Sequence, residues 1–387
     1  MKITHVGTVR AGQFLYAKVE TDDGLVGWGE SGAWGHLEAS EAAVVKFRDY
    51  LVGKDPRTIE LHWNVMQRFA HFRGNATDGA VSALDIALWD ILGQHLGVPI
   101  HQLLGGACRD KARVYGHVYA PTIEEVLSEL TKLKAQGFSA VGHLNPFLDE
   151  AEDDRWFKTQ ARKLDDAADN VRRFRETVGP DMDLLLEMHR RLTPAEAVEF
   201  ARLVEPSRPM WLEDPIRPEF TAEMGDVARR TTVPIATGER FLGLAEFRQQ
   251  IAAGPIAFAR ISVGVAGGIT GARKIAALAE AHNILVAPHN PLSPVALTAC
   301  LHIAASAPNF AIQEYPTGFH NLALQSDGRL LGGDLVTWTP PLEDGFAALP
   351  NLPGLGTAVL DDAAEIAPPT TRRVSMRFHR DGSPIDQ

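Results

Sequence analysis

Three glutamates follow short apolar runs at regular distances along the chain. Glu187 ends the run LLLE, Glu213 ends MWLE and Glu239 follows IATG, with about 26 residues between successive members. Carboxylates that converge repel one another unless a cation neutralises them, so a cluster of this kind implies a metal ion. Because ligand sets made only of oxygen select hard ions, the pattern predicts Mg²⁺, with Mn²⁺ as a substitute.

Three further ionisable residues occupy comparable places after apolar runs. His289 follows LVAP, Glu314 follows AIQ, and His189 lies two residues after Glu187. Side chains two residues apart on a strand point to the same face, which puts His189 beside Glu187. These residues therefore predict one site built from the ends of several strands.

The elements that must position this site are short apolar runs that alternate with amphipathic helical patterns from about residue 112 onward. The eight runs are ARVYGHV, FSAVGHL, DLLLEMH, PMWLEDP, VPIATGE, FARIS, ILVAPH and FAIQE. Eight strands are the number that a closed parallel barrel needs. The carboxyl ends of barrel strands meet at one mouth, where catalytic residues come from several different strands. The fold class predicted is therefore α/β, with a (β/α) barrel.

The first third of the chain follows a different pattern. The stretch QFLYAKVETDDGLVGWGES alternates apolar and polar residues around Asp-Asp-Gly, which predicts an antiparallel hairpin. Helical patterns follow, and the last of them stops at Gly97 and Pro99. We predict an α+β capping domain over residues 1–111, a barrel domain over 112–335, and a C-terminal segment over 336–387 that returns to the cap.

The composition limits the classes of partner. Of 387 residues, 45% are hydrophobic and 22% are charged, and the formal net charge is -11, which disfavours a nucleic-acid partner. The N-terminus lacks the apolar core of a signal peptide, and no run approaches the roughly 20 apolar residues of a membrane helix. Two cysteines are too few for a disulfide framework. We expect a cytoplasmic protein with reduced thiols and no membrane partner.

Several motifs resemble those of the enolase superfamily, in its mandelate racemase branch, and the resemblance covers almost the whole chain. SALDIALWDI with LLGG is similar to the cap signature of that branch, WLEDP and TGE to its second and third metal-ligand segments, and AGGIT to the segment after the sixth strand. APHNPLSPVALTACLH and QEY resemble the acid-sugar dehydratases, notably galactonate and mannonate dehydratases. The resemblance implies a modified (β/α)7β TIM-type barrel with an α+β capping domain.

The resemblance also implies an activity and roles for the residues above. The activity is Mg²⁺-dependent dehydration of a sugar acid, an aldonate or aldarate, to a 2-keto-3-deoxy acid, by removal of the α-proton and loss of the 3-hydroxyl. The three glutamates take the metal-ligand positions, and His189 takes that of the acid that protonates the departing hydroxyl. His289 takes the position of the general base, and Glu314 that of a hydrogen-bonding group at the substrate carboxylate. A homo-oligomer is implied as well.

The sequence departs from the pattern of the branch at three places. Glu187 stands where Asp is more usual. Gly142 and Leu144 replace the Lys-x-Lys pair that supplies a base in racemases, and strand alternation predicts that His143, between them, points away from the mouth. Ser262 stands where an Asp normally orients the base, and a hydroxyl cannot stabilise an imidazolium by charge. The identity of the general base therefore stays open.

Other residues are expected to contact the substrate. Trp34, His36 and Arg73 belong to loops of the cap, which close over the mouth in this family, and Arg260 lies in FARIS much as an Arg does in mannonate dehydratases. Four more arginines are expected to form surface contacts or ion pairs: Arg190, Arg191, Arg217 and Arg240. Two alternatives to dehydration also stay open. One is an epimerase or lactone cycloisomerase using the same enolate, and the other is a sugar-acid-binding protein of low activity.

Overall fold

The N-terminal part of the chain folds as an antiparallel sheet covered by helices. The computed structural model describes residues 1–69, 71–148, 155, 157–317 and 330–386. A three-stranded meander has the order β1 (Ile3–Ala11), β2 (Phe14–Thr21) and β3 (Val26–Glu30). The predicted turn joins β2 to β3, with Gly24 at φ 81°.

Four helices complete this unit: α1 (Leu37–Leu51), α2 (Ile59–Phe69), α3 (Asn75–Leu96) and α4 (Ile100–Leu103). Helix α3 is buried along most of its length, and it ends at Gly97 in the left-handed conformation, as the sequence predicts. Two glycines of β3 permit a very close approach to this helix, because a Cβ at Gly29 would lie 1.9 Å from the Ala83 carbonyl oxygen. A side chain at this position would therefore push the sheet away from the helix.

The central part of the chain is a parallel barrel of eight strands. They are β4 (Lys111–His117), β5 (Ala140–Leu144), β6 (Asp183–Glu187), β7 (Trp211–Glu213), β8 (Ile235–Thr237), β9 (Phe258–Ala259), β10 (Leu285–Val286) and β11 (Gln313–Glu314). Strands β4 to β10 pair in consecutive order, and β11 pairs with β4. The ring closes because Val286 forms a parallel bridge to Phe310, three residues before β11.

Within the described residues, seven helices alternate with the eight strands, which is the (β/α)7β arrangement: α5 (Ile123–Ala135), α6 (Gln160–Val178), α7 (Pro194–Val204), α8 (Thr221–Arg230), α9 (Leu244–Ala253), α10 (Gly268–Ala281) and α11 (Pro294–Ser306). Two 3₁₀ turns span Glu205–Ser207 and Gly333–Leu335. Helix α10 packs on α3 of the N-terminal unit, where Trp89 Nε1 donates to the Thr270 hydroxyl at 2.8 Å. The predicted fold class, a modified barrel with an α+β cap, is confirmed.

The C-terminal part contacts both units. It contains β12 (Leu342–Glu343), β13 (Phe346–Ala348), α12 (Ala363–Ile366), β14 (Arg377–Phe378) and β15 (Pro384–Ile385). Strand β13 pairs antiparallel with β4 of the barrel, whereas the Gly12 N–H of the cap donates to the Ala367 carbonyl. The domain boundaries after residues 111 and 335 stay predictions. No helix within the described ranges is long and apolar enough to cross a membrane.

Candidate active site and metal centre

An apolar layer inside the barrel fixes which side chains reach the mouth. The layer takes one buried residue from each strand or its immediate extension: Tyr115, Ala140, Leu185, Trp211, Ala236, Phe258, Ala287 and Ile312. Side-chain direction along an extended strand repeats every two residues. The residues two positions later are His117, Gly142, Glu187, Glu213, Gly238, Arg260, His289 and Glu314. The same alternation that fills the core therefore delivers most of the ionisable residues to the layer above it.

The three predicted metal ligands come together at this level. Glu187 and Glu213 end adjacent strands and are register partners, and Glu239 follows β8. One carboxylate oxygen of each lies within 4.8 Å of the other two. Glu187 and Glu213 are buried, and Glu239 is partly exposed. The cluster therefore has an all-oxygen donor set with one side open to the mouth.

The electrostatics of the cluster fit a bound dication. Burial and repulsion from neighbouring carboxylates raise the pKa of Glu187 well above its usual range. Burial also raises the pKa of Glu213 to about 8, although the adjacent Arg260 guanidinium opposes the shift. A divalent cation removes the cost of holding these carboxylates ionised. A set of three carboxylate ligands without nitrogen or sulfur atoms suits Mg²⁺, whose remaining coordination positions are available to water and substrate oxygens.

A fourth carboxylate adjoins the cluster, and sequence reasoning missed it. Asp214 is fully buried at φ 37°, and its Oδ1 accepts a hydrogen bond from the Thr237 hydroxyl at 2.5 Å. Its Oδ2 is buried without a hydrogen-bond partner among the described residues. Burial first, and then the charge of Glu239, raise the pKa of Asp214 to about 7. This additional negative charge strengthens the case for a cation at the mouth.

Arg260 is the buried cation that holds the lower part of the site together. Its Nε donates to Glu213 Oε1 at 2.5 Å, and its Nη2 donates to Glu314 Oε2 and to the Tyr115 hydroxyl, each at 2.7 Å. Its Nη1 donates to the carbonyls of Ala287 and Pro288. Only 2% of Arg260 is exposed, and protein groups occupy its three nitrogens. This geometry favours positioning of the carboxylates over the substrate contact expected from the sequence.

Glu314 lies among an imidazole, a buried guanidinium and a backbone N–H. Its Oε1 is 3.0 Å from His117 Nε2, and its Oε2 accepts from Arg260 and from the Asn290 N–H at 2.9 Å. Burial raises the pKa of Glu314, but His289, Arg260 and His117 outweigh burial and bring it well below its usual range. Glu314 is therefore ionised and can only accept hydrogen bonds.

His289 lies on the other side of the carboxylate cluster from β6. Its Nε2 is 3.3 Å from Glu239 Oε2, and its Nδ1 is buried without a hydrogen-bond partner among the described residues. Ser262 lies beside it in a parallel backbone bridge, but its hydroxyl makes no hydrogen bond to His289 Nδ1 and so does not replace the missing carboxylate partner. Burial lowers the pKa of His289, although Glu314 and Glu239 oppose the shift. His289 is therefore held as a neutral imidazole.

His189 lies beside Glu187, but it follows the end of β6 at φ 47° and does not continue the strand. Its Nε2 is 3.9 Å from Glu187 Oε1, and its backbone N–H donates to the same oxygen at 2.9 Å. Burial first, and then His143, lower the pKa of His189 well below its usual range. His189 is therefore also neutral in the absence of an anionic ligand.

The expectation that His143 points away from the mouth is wrong. The pairing of β5 with β6 is irregular between Val141 and Leu144, and His143 takes φ 51°, which breaks the strand alternation. The His143 ring centroid lies 4.5 Å from that of Tyr119 and 4.7 Å from that of His189. Gly142 occupies the position of the first expected lysine and leaves room for the Tyr115 ring. A Cβ atom at residue 142 would lie 2.2 Å from a carbon of that ring.

The first barrel strand supplies a set of residues that sequence reasoning missed. Tyr115 and His117 lie on β4, and Tyr119 follows two residues after His117. The centroids of the His117 and Tyr119 rings are 6.0 Å apart, and His117 reaches Glu314. The alternation of aromatic residues in VYGHVYA was the signal that could have identified them.

The cap residues lie further from the cluster. Arg73 Nη2 donates to the Leu242 carbonyl at 2.7 Å, three residues after Glu239, so it fastens the cap to the loop after β8. Trp34 is 36% exposed with the Arg372 guanidinium over its ring at 4.8 Å, and His36 is exposed just before α1. Substrate contact by these residues stays a prediction.

Two of the four further arginines form ion pairs. Arg190 Nη1 lies 3.7 Å from Glu239 Oε1, and Arg240 Nη1 lies 3.7 Å from Glu219 Oε1. The other two are packed over phenylalanine rings, Arg191 over Phe147 and Arg217 over Phe220. Of these contacts, that of Arg190 reaches the carboxylate cluster, at Glu239.

Comparison with known proteins places these features in a family. The model of the mandelate racemase / muconate lactonizing enzyme N-terminal domain matches residues 2–105, and the enolase C-terminal domain-like model matches residues 130–363. The chain is 36% identical to a D-galactonate dehydratase of Xanthomonas campestris pv. campestris (strain B100), covering 99% of both chains. It is also 36% identical to one of Verminephrobacter eiseniae, covering 93% of this chain and 92% of the relative.

Solved structures agree with these matches. An enolase from Agrobacterium radiobacter, bound to sodium and L-malate, superposes with a TM-score of 0.92 at 30% identity, covering 100% of both chains. An enolase from Pantoea ananatis, with bound D-gluconate and magnesium, superposes with a TM-score of 0.89 at 27% identity, again covering 100% of both chains. The chain is therefore a member of the mandelate racemase / muconate lactonizing enzyme family of the enolase superfamily.

Proposed function

We propose that this chain is a Mg²⁺-dependent hydro-lyase that dehydrates a sugar acid, an aldonate or an aldarate. The observation that most directly supports this proposal is that three carboxylates, which form an all-oxygen set of metal ligands, lie between two imidazoles. His189 lies beside Glu187, and His289 lies beside Glu239. The full-length similarity to D-galactonate dehydratases and to a gluconate-bound and magnesium-bound enolase supports the same class of substrate.

The reaction needs one proton removed from carbon 2 and one delivered to the hydroxyl of carbon 3. When bound at Glu187, Glu213 and Glu239, Mg²⁺ stabilises the negative charge that develops on the substrate carboxylate as the α-proton leaves. His289, held neutral by burial, accepts that proton. His189 delivers a proton to the 3-hydroxyl, so the carbon–oxygen bond breaks and water departs. The resulting enol loses its hydroxyl proton and takes a proton at carbon 3, which gives the 2-keto-3-deoxy acid.

The ionised Glu314 and the Arg260 beneath it supply a fixed charge pattern for this chemistry. Since Glu314 only accepts hydrogen bonds, it orients His117 and Arg260 rather than donating to a substrate oxygen. His189 must gain a proton before it acts as an acid, and a bound anionic substrate favours the protonated form. The missing Asp partner makes His289 a weaker base than in relatives that have one, so moderate turnover is expected.

The test is turnover of a library of mono- and diacid sugars with Mg²⁺, followed by semicarbazide detection of keto acids. We expect one aldonate or aldarate to give a keto product, and His189→Asn and His289→Asn each to lower its rate by about 10²–10⁴-fold. His282→Asn, at an exposed position at the end of α10, is the matched control. Dehydration is contradicted if no sugar acid gives a keto product while Mg²⁺ binding is intact.

One observation favours epimerisation as a second candidate. His143 lies at the mouth, so an imidazole stands near the place from which racemases of this family use a lysine. An epimerase would exchange the α-hydrogen with solvent without losing water. Deuterium in recovered substrate without a keto product would therefore favour epimerisation, whereas a keto product excludes it as the main reaction.

A further inference from the structure

A second set of metal-binding atoms adjoins the carboxylate cluster. His143, Glu187 and His189 each offer one donor atom, and these three atoms lie within 4.8 Å of one another. His189 Nε2 is already 3.9 Å from Glu187 Oε1, and the two imidazole centroids are 4.7 Å apart with their planes at 65°. Glu187 is common to both sets, whereas His143 belongs only to this one and Glu239 only to the other.

The backbone brings the two imidazoles together at a conformational cost. His143 and His189 both take positive φ, 51° and 47°, a region that few residues other than glycine occupy. Such conformations persist only where the surrounding structure enforces them, and they concentrate at functional sites. With ordinary strand geometry, His143 would point away from His189. The paired left-handed residues therefore create the juxtaposition.

The chemistry of these donors differs from that of the three carboxylates. Two imidazoles with one carboxylate suit Zn²⁺ and related transition ions, whereas Mg²⁺ prefers oxygen ligands alone. Ligand atoms about 2.1 Å from a tetrahedral zinc are separated by about 3.4 Å. The donor atoms here lie 3.9 Å apart for His189 and Glu187 and within 4.8 Å for all three residues, so the side chains must move closer together to bind zinc. The three residues come from two neighbouring strand ends and leave a fourth ligand position for water.

We propose that His143, Glu187 and His189 form a second metal site, which shares Glu187 with the carboxylate cluster and binds Zn²⁺ or a similar transition-metal ion. The site takes its ion independently of the reaction assigned above. One consequence rests on the proposed function: an ion held by His189 prevents that imidazole from delivering a proton, so Zn²⁺ should inhibit dehydration in the presence of saturating Mg²⁺.

The test uses the intact purified chain. Zn²⁺ binding is measured by titration calorimetry in excess Mg²⁺, and Co²⁺ is used in a second experiment as a spectroscopic probe of the ligands. We expect saturable Zn²⁺ binding, and visible Co²⁺ bands typical of nitrogen ligation rather than the weak bands of all-oxygen coordination. His143→Asn should weaken Zn²⁺ binding by more than the roughly 10–100-fold that loss of an outer-shell partner causes. His282→Asn should leave Zn²⁺ binding unchanged.

Glu239→Gln separates this inference from the proposed function. The variant removes a ligand of the all-oxygen cluster only, so it should weaken Mg²⁺ binding and abolish turnover while keeping the nitrogen-type Co²⁺ spectrum. If the Co²⁺ spectrum of the wild-type chain shows coordination by oxygen alone, the proposed second site is wrong. This result does not require any variant to fold. Equal Zn²⁺ affinities in the wild-type chain and a folded His143→Asn variant also overturn the second site, whatever the result of the sugar-acid assay.

Discussion

Replacing Arg260 with methionine tests whether this buried cation stabilises the carboxylates of the barrel mouth. Arg260 contacts Glu213 at 2.5 Å and Glu314 at 2.7 Å, and all three side chains are almost completely buried. Methionine keeps an apolar stem of similar length but removes the charge and the hydrogen-bond donors. The substitution therefore leaves two buried carboxylates without their shared cation.

The expected loss can be worked from these contacts. Removing one partner of a buried ion pair costs about 3–5 kcal/mol, because the other charge stays buried and uncompensated. Glu314, which is ionised, keeps His117 and the Asn290 N–H, whereas Glu213, whose pKa is already raised to about 8, can take up a proton when its cation is lost. We therefore expect Arg260→Met to lower the free energy of unfolding by about 3–5 kcal/mol, mainly through the ionised Glu314, which is a large part of the roughly 5–15 kcal/mol of a typical domain.

The assay is urea unfolding followed by circular dichroism without added metal, with Arg230→Met as the matched control at an exposed position on α8. Adding Glu314→Gln to the Arg260→Met chain removes one uncompensated charge, so the double variant should be more stable than additivity predicts, by about 0.5–3 kcal/mol. A loss below about 1 kcal/mol for Arg260→Met, or strict additivity with Glu314→Gln, would refute the reasoning.

Three further predictions concern packing, pH and metal. Gly29→Ala places a Cβ 1.9 Å from the Ala83 carbonyl oxygen and should cost about 1–3 kcal/mol in urea unfolding, whereas Gly74→Ala, with no atom within 4 Å, should stay within about 1 kcal/mol. Burial raises the pKa of Asp85 to about 7, above its unfolded value, so its contribution to stability is complete below about pH 4 and is lost as pH rises to 7. In the wild-type chain, Asp85 should lower the free energy of unfolding by about 4 kcal/mol between pH 4 and pH 8, and Asp85→Asn should abolish this decrease. If the free energy of unfolding varies with pH in the same way in both chains, the raised pKa of Asp85 is contradicted. Mg²⁺ at 100 times its dissociation constant should stabilise the wild-type chain by about 2.7 kcal/mol in thermal unfolding and the Glu239→Gln variant by much less, and equal shifts would contradict Glu239 as a ligand.

The sequence alone was sufficient for the barrel and the convergence of its carboxylates. Each of the eight apolar runs contains a strand, because parallel strands buried on both faces need continuous apolar segments. The equal spacing of Glu187, Glu213 and Glu239 reflects one strand and one helix per repeat, so three residues far apart in sequence reach one mouth. The sequence also indicated that His189 lies near Glu187, although His189 follows the end of β6 at φ 47° and does not continue the strand.

Tertiary structure alone decided the side-chain environment of the site. His143 lies at the mouth because the β5–β6 register is irregular and its backbone is left-handed, so strand alternation does not hold there. The sequence contains no pattern that predicts this conformation. Arg260 contacts two carboxylates on different strands, Glu213 on β7 and Glu314 on β11, so its function depends on how the sheet closes. Periodicity reports which way a side chain points along its own strand, whereas its partners come from other strands and are fixed only when the barrel is complete.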